Sequence, residues 1–275
     1  MNFFEKIVYF LSASMETPQM FGIWHIVSLT LAVLLAAFMV WKFKDCSDKT
    51  LRRVLLVFWV IIVLFELYKQ TVFSMQSDGV TAKWDYQWYA FPFQFCSTPM
   101  YLLPILIFAK EGKVRNAVVA YMATFSLFAG LAVMVYPADV FIGMIGINIQ
   151  TMVHHGLQFV IGVFLVAHNR HHLNNRFFAW CMIVFSVLAS VALTMNVIMH
   201  NVFVANGMDE TFNMFFISPY YDCTLPILSA IYHLVPYPVF LLIYILGFAL
   251  VSALVYTIEK TVVSICSKIK HRGEN

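Results

Sequence analysis

The feature that most constrains this chain is where its polar residues sit within long apolar segments. Seven such segments stand out, at residues 21–41, 53–74, 88–109, 114–136, 150–168, 177–201 and 237–259. Each has about the 20 residues with which an α-helix crosses a bilayer. Against that background, His25, Glu66, Lys69, Gln70, Gln94, Cys96, His154, His155, Asn196 and His200 all fall in the same half of the membrane. A charge at the centre of a bilayer costs about 2.5–3.5 kcal/mol on insertion scales, so such residues normally face a bundle interior or a cavity.

The apolar runs are continuous rather than alternating, which predicts helices and not a closed barrel. With 61% hydrophobic and 11% charged residues, the fold class expected is all-α, a seven-helix transmembrane bundle. Fourteen of the 17 Lys and Arg lie in the loops after the first, third and fifth spans and in the segment after the seventh. This asymmetry predicts an outside N-terminus and a cytoplasmic C-terminus. The chain then divides into an N-terminal segment (1–20), a transmembrane domain (21–259) and a basic cytoplasmic tail (260–275) in a multi-pass cell-membrane protein. The apolar run before residue 20 is too short to cross. An uncleaved interfacial helix explains it better than a signal peptide, because Lys6 alone makes no basic leader.

Two connecting segments differ from ordinary loops. Residues 138–148 are apolar, contain Gly143 and Gly146, and are too short to cross, which suits a re-entrant or lid segment. Residues 201–237 lack Lys and Arg and are rich in aromatics, and residues 225–234 read as a further half-helix. The five cysteines form no CxxC pair, and no disulfide framework is expected.

Helical spacing sharpens the polar layer. Glu66, Lys69 and Gln70 stand at i, i+3 and i+4, on one face, as do Asn196 and His200; Thr151, His155 and Gln158 form a similar stripe. On an unbroken helix, Cys96 would lie about 12 Å below the membrane surface at 1.5 Å per residue. The structural alternative for each residue taken alone is interhelical hydrogen bonding, worth about 0.6 kcal/mol. For the set, a polar pocket explains why the other half of the membrane is so much less polar.

No P-loop, dinucleotide fingerprint or H-E-x-x-H motif is present, so no cofactor is expected. His168, His171 and His172 have no neighbouring carboxylate or cysteine, so no metal site is expected. Span seven has no lysine for a retinal Schiff base, and nothing supports nucleic-acid binding. The expected partner is a membrane lipid or lipid-like small molecule.

Several short signatures coincide: His25 early in span one, the Glu66 to Gln70 stripe, and the entry Pro92-Phe93-Gln94-Phe95-Cys96-Ser97 to span three. His155 in span five and Phe212-Asn213-Met214-Phe215 before Pro219 complete the set. Together they resemble the YwaF-like integral membrane proteins, a family related to transmembrane protein 164. The resemblance implies a seven-helix fold and, for the eukaryotic relatives, acyl transfer onto ether phospholipids through a membrane cysteine. Cys96 stands at the position of the family's cysteine. Gln94 stands where a histidine is common, and a Gln cannot act as a base.

Two functions follow as expectations. In the first, Cys96 attacks an acyl ester, His155 or His154 is the base, and Gln94 or Asn196 donates to the oxyanion. In the second, a non-catalytic binder or transporter uses Glu66 and Lys69 to hold the ligand's charges. In both, His25, Gln70 and His200 complete the substrate-binding wall.

Overall fold

The computed structural model describes residues 1–273. Glu274 and Asn275 of the predicted tail lie outside the described residues, as do the side chains of His172, Asn175, Lys270, His271 and Arg272. The chain is helical nearly throughout, with α1 (Phe3–Leu11), α2 (Ile23–Phe43), α3 (Asp48–Ser74) and α4 (Thr98–Phe108) in the first part. After these come α5 (Lys113–Tyr121) and α6 (Leu127–Val135), joined into one rod by a π-turn at Met122–Ser126. The second part holds α7 (Ile145–His168), α8 (Asn175–Ala205), α9 (Leu228–Tyr232) and α10 (Tyr237–Gly273). A small hairpin, β1 (Met75–Ser77) with β2 (Ala82–Trp84), follows α3.

Among the described residues, five helices are long and apolar enough to cross a membrane: α2, the α5–α6 rod, α7, α8 and α10. The 27-residue α3 runs beside them, carrying Glu66 and Lys69 in its second half. α7 is the central rod: 78% of its most apolar stretch is buried, against 22% in α2 and in α10. It packs against α2, α3 and α6, while α8 packs on α5 and α10 only lightly on α8. Small residues let the backbones approach, as expected where lipid supplies no hydrophobic drive between helices. A methyl group at Gly130 would lie 2.6 Å from the Phe159 nitrogen and 2.7 Å from the His155 carbonyl oxygen.

Three expectations change. Residues 88–97 do not form the first half of a helix. They make two single turns, Trp88–Ala90 and Phe95–Ser97, and only then does α4 begin. Pro92 removes a donor and turns Phe91 away from helical geometry, and Pro99 suits the first turn of α4. The segment is anchored instead by the ring of Phe95, which meets Tyr121, Phe125, Phe185, Phe215 and Phe248 edge-on at 5.2–6.4 Å. Secondly, α7 starts at Ile145, so the apolar connector is shorter than expected. The Asn148 side chain closes it by bonding both the nitrogen and the carbonyl of Ile142. Thirdly, the half-helix expected at 225–234 is only the five-residue α9. Beyond residue 259, α10 runs on without a break to Gly273.

The bundle has two unlike ends. The basic end carries the short loops before α3, α5 and α8. There Ser47 and Asn174 cap helices through their side chains, and Asp48 pairs with Arg52 at 2.6 Å and with Arg115. Burial alone would raise the Asp48 carboxyl, but hydrogen bonds from Arg52 and Arg115 outweigh it and hold the group below the usual carboxylate range. The opposite end carries α1, the hairpin and the 206–236 segment. α1 lays Val8 against Val72, Met75 and Ile147, and Ser14 pairs with Met144.

The 206–236 segment is clamped at its centre. Asn196 donates to the Met214 carbonyl at 3.0 Å and accepts from the Met214 nitrogen at 2.7 Å. Gln94 does the same between Asn213 and Phe215, at 3.0 and 2.9 Å. The Tyr244 hydroxyl donates to the Phe215 carbonyl at 2.9 Å. These bonds hold Phe215 and Phe216 in the left-handed region at φ 59° and 56°, which bulky residues adopt only when their surroundings enforce it.

Gly130→Ala is expected to cost about 2–3 kcal/mol, because the atoms it meets are backbone of the central rod. Gly247→Ala, which meets open space, is expected to change little. Thermal unfolding in detergent measures both, and a neutral Gly130→Ala would refute the close-packing account. Asn196→Ala leaves the Met214 nitrogen buried and unpaired and leaves its carbonyl only the long 3.4 Å bond from the Ile217 nitrogen. It is expected to cost about 2–4 kcal/mol and to speed proteolysis within 206–236; wild-type cleavage rates would contradict the clamp.

Candidate functional site

α3 supplies the ionic part of the candidate site. Glu66 is 3% exposed, and its Oε1 accepts from Lys69 Nζ at 2.8 Å and from Gln70 Nε2 at 2.7 Å. Its other oxygen, Oε2, is buried without a partner. Gln70 also donates to the Ala90 carbonyl at 2.7 Å, which ties the non-helical entry to α3. The i, i+3, i+4 stripe is therefore one bonded unit. Removing one partner of such a buried pair costs more than the pair contributes, because it leaves an uncompensated charge.

α7 supplies the bases. His154 Nε2 lies 3.0 Å from the Cys96 carbonyl oxygen. A carbonyl only accepts, so Nε2 carries the proton and the neutral ring leaves Nδ1 as a bare lone pair. That Nδ1 is buried and unpartnered. His155 is fixed in the opposite tautomer. Its Nδ1 donates to the Thr151 carbonyl at 2.8 Å, and its Nε2 is the bare, unpartnered nitrogen. Adjacent residues on a helix diverge by about 100°, yet both imidazoles stay inside, 3% and 7% exposed, with ring centroids 5.3 Å apart. Two buried imidazoles thus sit side by side, each locked by a backbone carbonyl and each with one free lone pair.

Cys96 sits where the non-helical entry meets α7. Its carbonyl is held by His154, and Glu66 and Lys69 lie within electrostatic range of it. The contact between His154 and Cys96 runs through the carbonyl, not the thiol. Cys96 lies in the single 3-10 turn ahead of α4, and the imidazole donates to its carbonyl.

The ten residues therefore separate into groups. Cys96, His154, His155, Glu66, Lys69 and Gln70 come together where α3, the 88–97 entry and α7 meet. Gln94 and Asn196 spend both polar atoms of their amides on the 206–236 segment. His200 belongs to that segment too, stacked on Tyr220 with ring centroids 3.6 Å apart. His25 is elsewhere: its Nδ1 accepts from the Phe21 nitrogen at 2.9 Å and its Nε2 donates to the Met134 carbonyl at 2.8 Å. Those two bonds pin the left-handed turn at Phe21 ahead of α2.

Two further groups share the α7 interface. Gln158 is fully buried, and both its amide atoms lack partners. Ser126, in the π-turn that packs on α7, has a buried hydroxyl without a partner. The i, i+3 spacing from His155 singles out Gln158 as part of the stripe, whereas a lone serine in an apolar run gives no sign of Ser126. Unpartnered buried polar groups each cost about 1–3 kcal/mol. π-turns inside helices concentrate at functional sites. Their coincidence here with two bare imidazole nitrogens marks this interface out from the rest of the bundle.

A cavity of about 760 Å³ lies at the basic end, away from these groups, lined by Asp48, Lys113, Arg115, Arg176 and Trp180 among others. No curated protein and no solved structure matches the chain. A family model does, that of the TMEM164 family, and it spans residues 20–256, from the turn before α2 to the middle of α10. The matched region contains every residue of the candidate site. The chain is a multi-pass membrane protein and belongs to the TMEM164 family.

Proposed function

We propose that this protein is a membrane-embedded acyl-transfer enzyme, with Cys96 as nucleophile and His154 as its base. The observation that supports this best is the lock between them: an imidazole held on the cysteine's own carbonyl, with its second nitrogen unprotonated, buried and unpartnered. On this reading, two further crossings, α3 and the broken 88–108 segment, join the five long apolar helices to make seven. The N-terminus lies outside and the basic end lies in the cytoplasm of a cell membrane. The substrate is an ester-linked membrane lipid.

The chemistry balances without a cofactor. The Cys96 thiol gives its proton to His154, and the thiolate adds to the ester carbonyl. The ester C–O bond breaks, the departing alkoxide takes the proton from His154, and the acyl group rests on Cys96 as a thioester. An acceptor hydroxyl, deprotonated by the same imidazole, then attacks the thioester; the new ester forms and the thiol is restored. Proton transfer from the thiol needs a turn of the Cys96 side chain or the His154 ring, of the kind that free enzymes often complete only with substrate bound. Gln94 and Asn196 are engaged elsewhere, so the oxyanion donors on this reading are Gln158 and the Lys69 ammonium.

An acyl-transferring activity probe in membranes is expected to label wild type and not Cys96→Ser. His154→Gln keeps a donor for the Cys96 carbonyl but has no base, and is expected to slow labelling about 100-fold or more. Labelling of both variants at the wild-type rate would sink the proposal.

A second reading, binding or transport of a small zwitterionic or lipid-like ligand, is favoured by one observation. The Glu66–Lys69 pair leaves Oε2 of Glu66 buried and unclaimed. Here Glu66→Gln is expected to abolish ligand accumulation in proteoliposomes while leaving probe labelling of Cys96 intact. Loss of labelling with no flux in the wild type would reject transport.

A further inference from the structure

We infer that the basic end of the bundle carries a second site, which takes the phosphate group of an anionic phospholipid. The site is the 760 Å³ cavity, whose volume falls in the range of small-molecule pockets. It is not a patch of scattered surface charge. The first turns of α3, α5 and α8 border it together, through Asp48, Lys113 and Arg176, so three positive dipole ends face one space.

The charge balance favours an anion. Asp48 is already taken by Arg52 and Arg115, and the nine-tenths-buried Arg115 also reaches Glu111 at 3.9 Å. Among the described residues, Lys113 and Arg176 line the cavity with no carboxylate partner. A second cavity of about 460 Å³ shares Asn174 and Arg176 and adds Lys260. Lys113 and Arg176 thus line a cavity in which Asp48 is already paired, and Lys260 stands on the adjoining surface beside Arg176. His168 also faces it, but its Nδ1 is committed to the Lys44 carbonyl at 3.1 Å.

The walls favour an amphiphile. Leu51, Val119, Phe177 and Trp180 add apolar surface to the lining. Trp180 belongs to the class of side chain that sits at headgroup level. A phosphodiester with acyl chains would satisfy both kinds of lining: its phosphate between Lys113 and Arg176, its glycerol and upper chains along Phe177 and Trp180. Inorganic phosphate would satisfy only the first.

The test uses the full-length protein in neutral detergent, titrated with phosphatidylglycerol, phosphatidylcholine or inorganic phosphate, with native mass spectrometry and thermal unfolding as readouts. Saturable phosphatidylglycerol binding is expected, with phosphatidylcholine at least tenfold weaker. The double variant Lys113→Gln/Arg176→Gln is expected to weaken phosphatidylglycerol roughly 10- to 30-fold, from about 1 kcal/mol per cation. The control Lys42→Gln/Lys49→Gln removes the same charge at the same end, outside the cavity, and is expected to leave binding unchanged. Both altered pairs are exposed, so unliganded unfolding temperatures are expected to match wild type. Displacement of the lipid by millimolar phosphate would show that the phosphate alone is recognised; its failure would show that the lipid chains are needed. Equal losses in the two double variants, or no saturable binding of either anion, would overturn the site.

Discussion

Much of what is distinctive at the candidate site follows from one constraint: buried backbone that leaves a helix must find polar partners within the protein. Residues 88–97 depart from a continuous helix around Pro92, which lacks a donor, and ahead of Pro99, which suits a helix start. Their exposed carbonyls and amides then need donors and acceptors from other rods. Gln70 serves Ala90, His154 serves Cys96, and Gln94 crosses to Asn213 and Phe215. Part of the polar layer, Gln70 and His154, is thus accounted for by the backbone of this non-helical stretch. Phe95, caged by five rings, fixes the interrupted segment so that those bonds stay in register.

The bonds that satisfy the backbone also set the chemistry of the groups that make them. A carbonyl on one side of an imidazole dictates which nitrogen bears the proton. Cys96 and Thr151 use opposite nitrogens of His154 and His155, so the neighbouring rings present bare lone pairs from different positions. Glu66 shows the same economy: one oxygen is saturated by Lys69 and Gln70, and the other remains unclaimed. Structural glue and functional group are therefore two faces of the same residues here, not rival accounts of them.

Much of this was legible in the sequence, and the limits have physical causes. The apolar runs and the polar stripe on α3 could be read because helical periodicity places i, i+3 and i+4 together before any tertiary contact forms. Residues 88–109 read as one span because hydropathy averages over a window and does not register two prolines as a break. Shared depth alone places Gln94 and Asn196 beside Cys96. Depth says nothing about rotation around the bundle axis, and both amides turn to the 206–236 segment instead. His25 shares the layer by depth and still faces Met134. Ser126 left no trace, since an extra residue in a helical turn depends on packing against α7 and not on composition.

The two ends of the molecule solve opposite electrostatic problems. At one end the charges and bases are buried, few, and tied to backbone or to each other, so they act in a medium that magnifies each interaction. At the other, the cations outnumber the carboxylates and stand around a hollow open to a polar surface. A chain that used its lysines and arginines only to fix orientation would have no reason to gather three helix starts around one space. Among the described residues, the lining carboxylates face Arg52 and Arg115 and leave Lys113 and Arg176 with no carboxylate partner, which is what the proposed anion site rests on. The same bundle therefore separates its buried polar groups from its surface charge by more than half the length of its central rod, since His154 and the cavity-lining His168 both lie on the 24-residue α7.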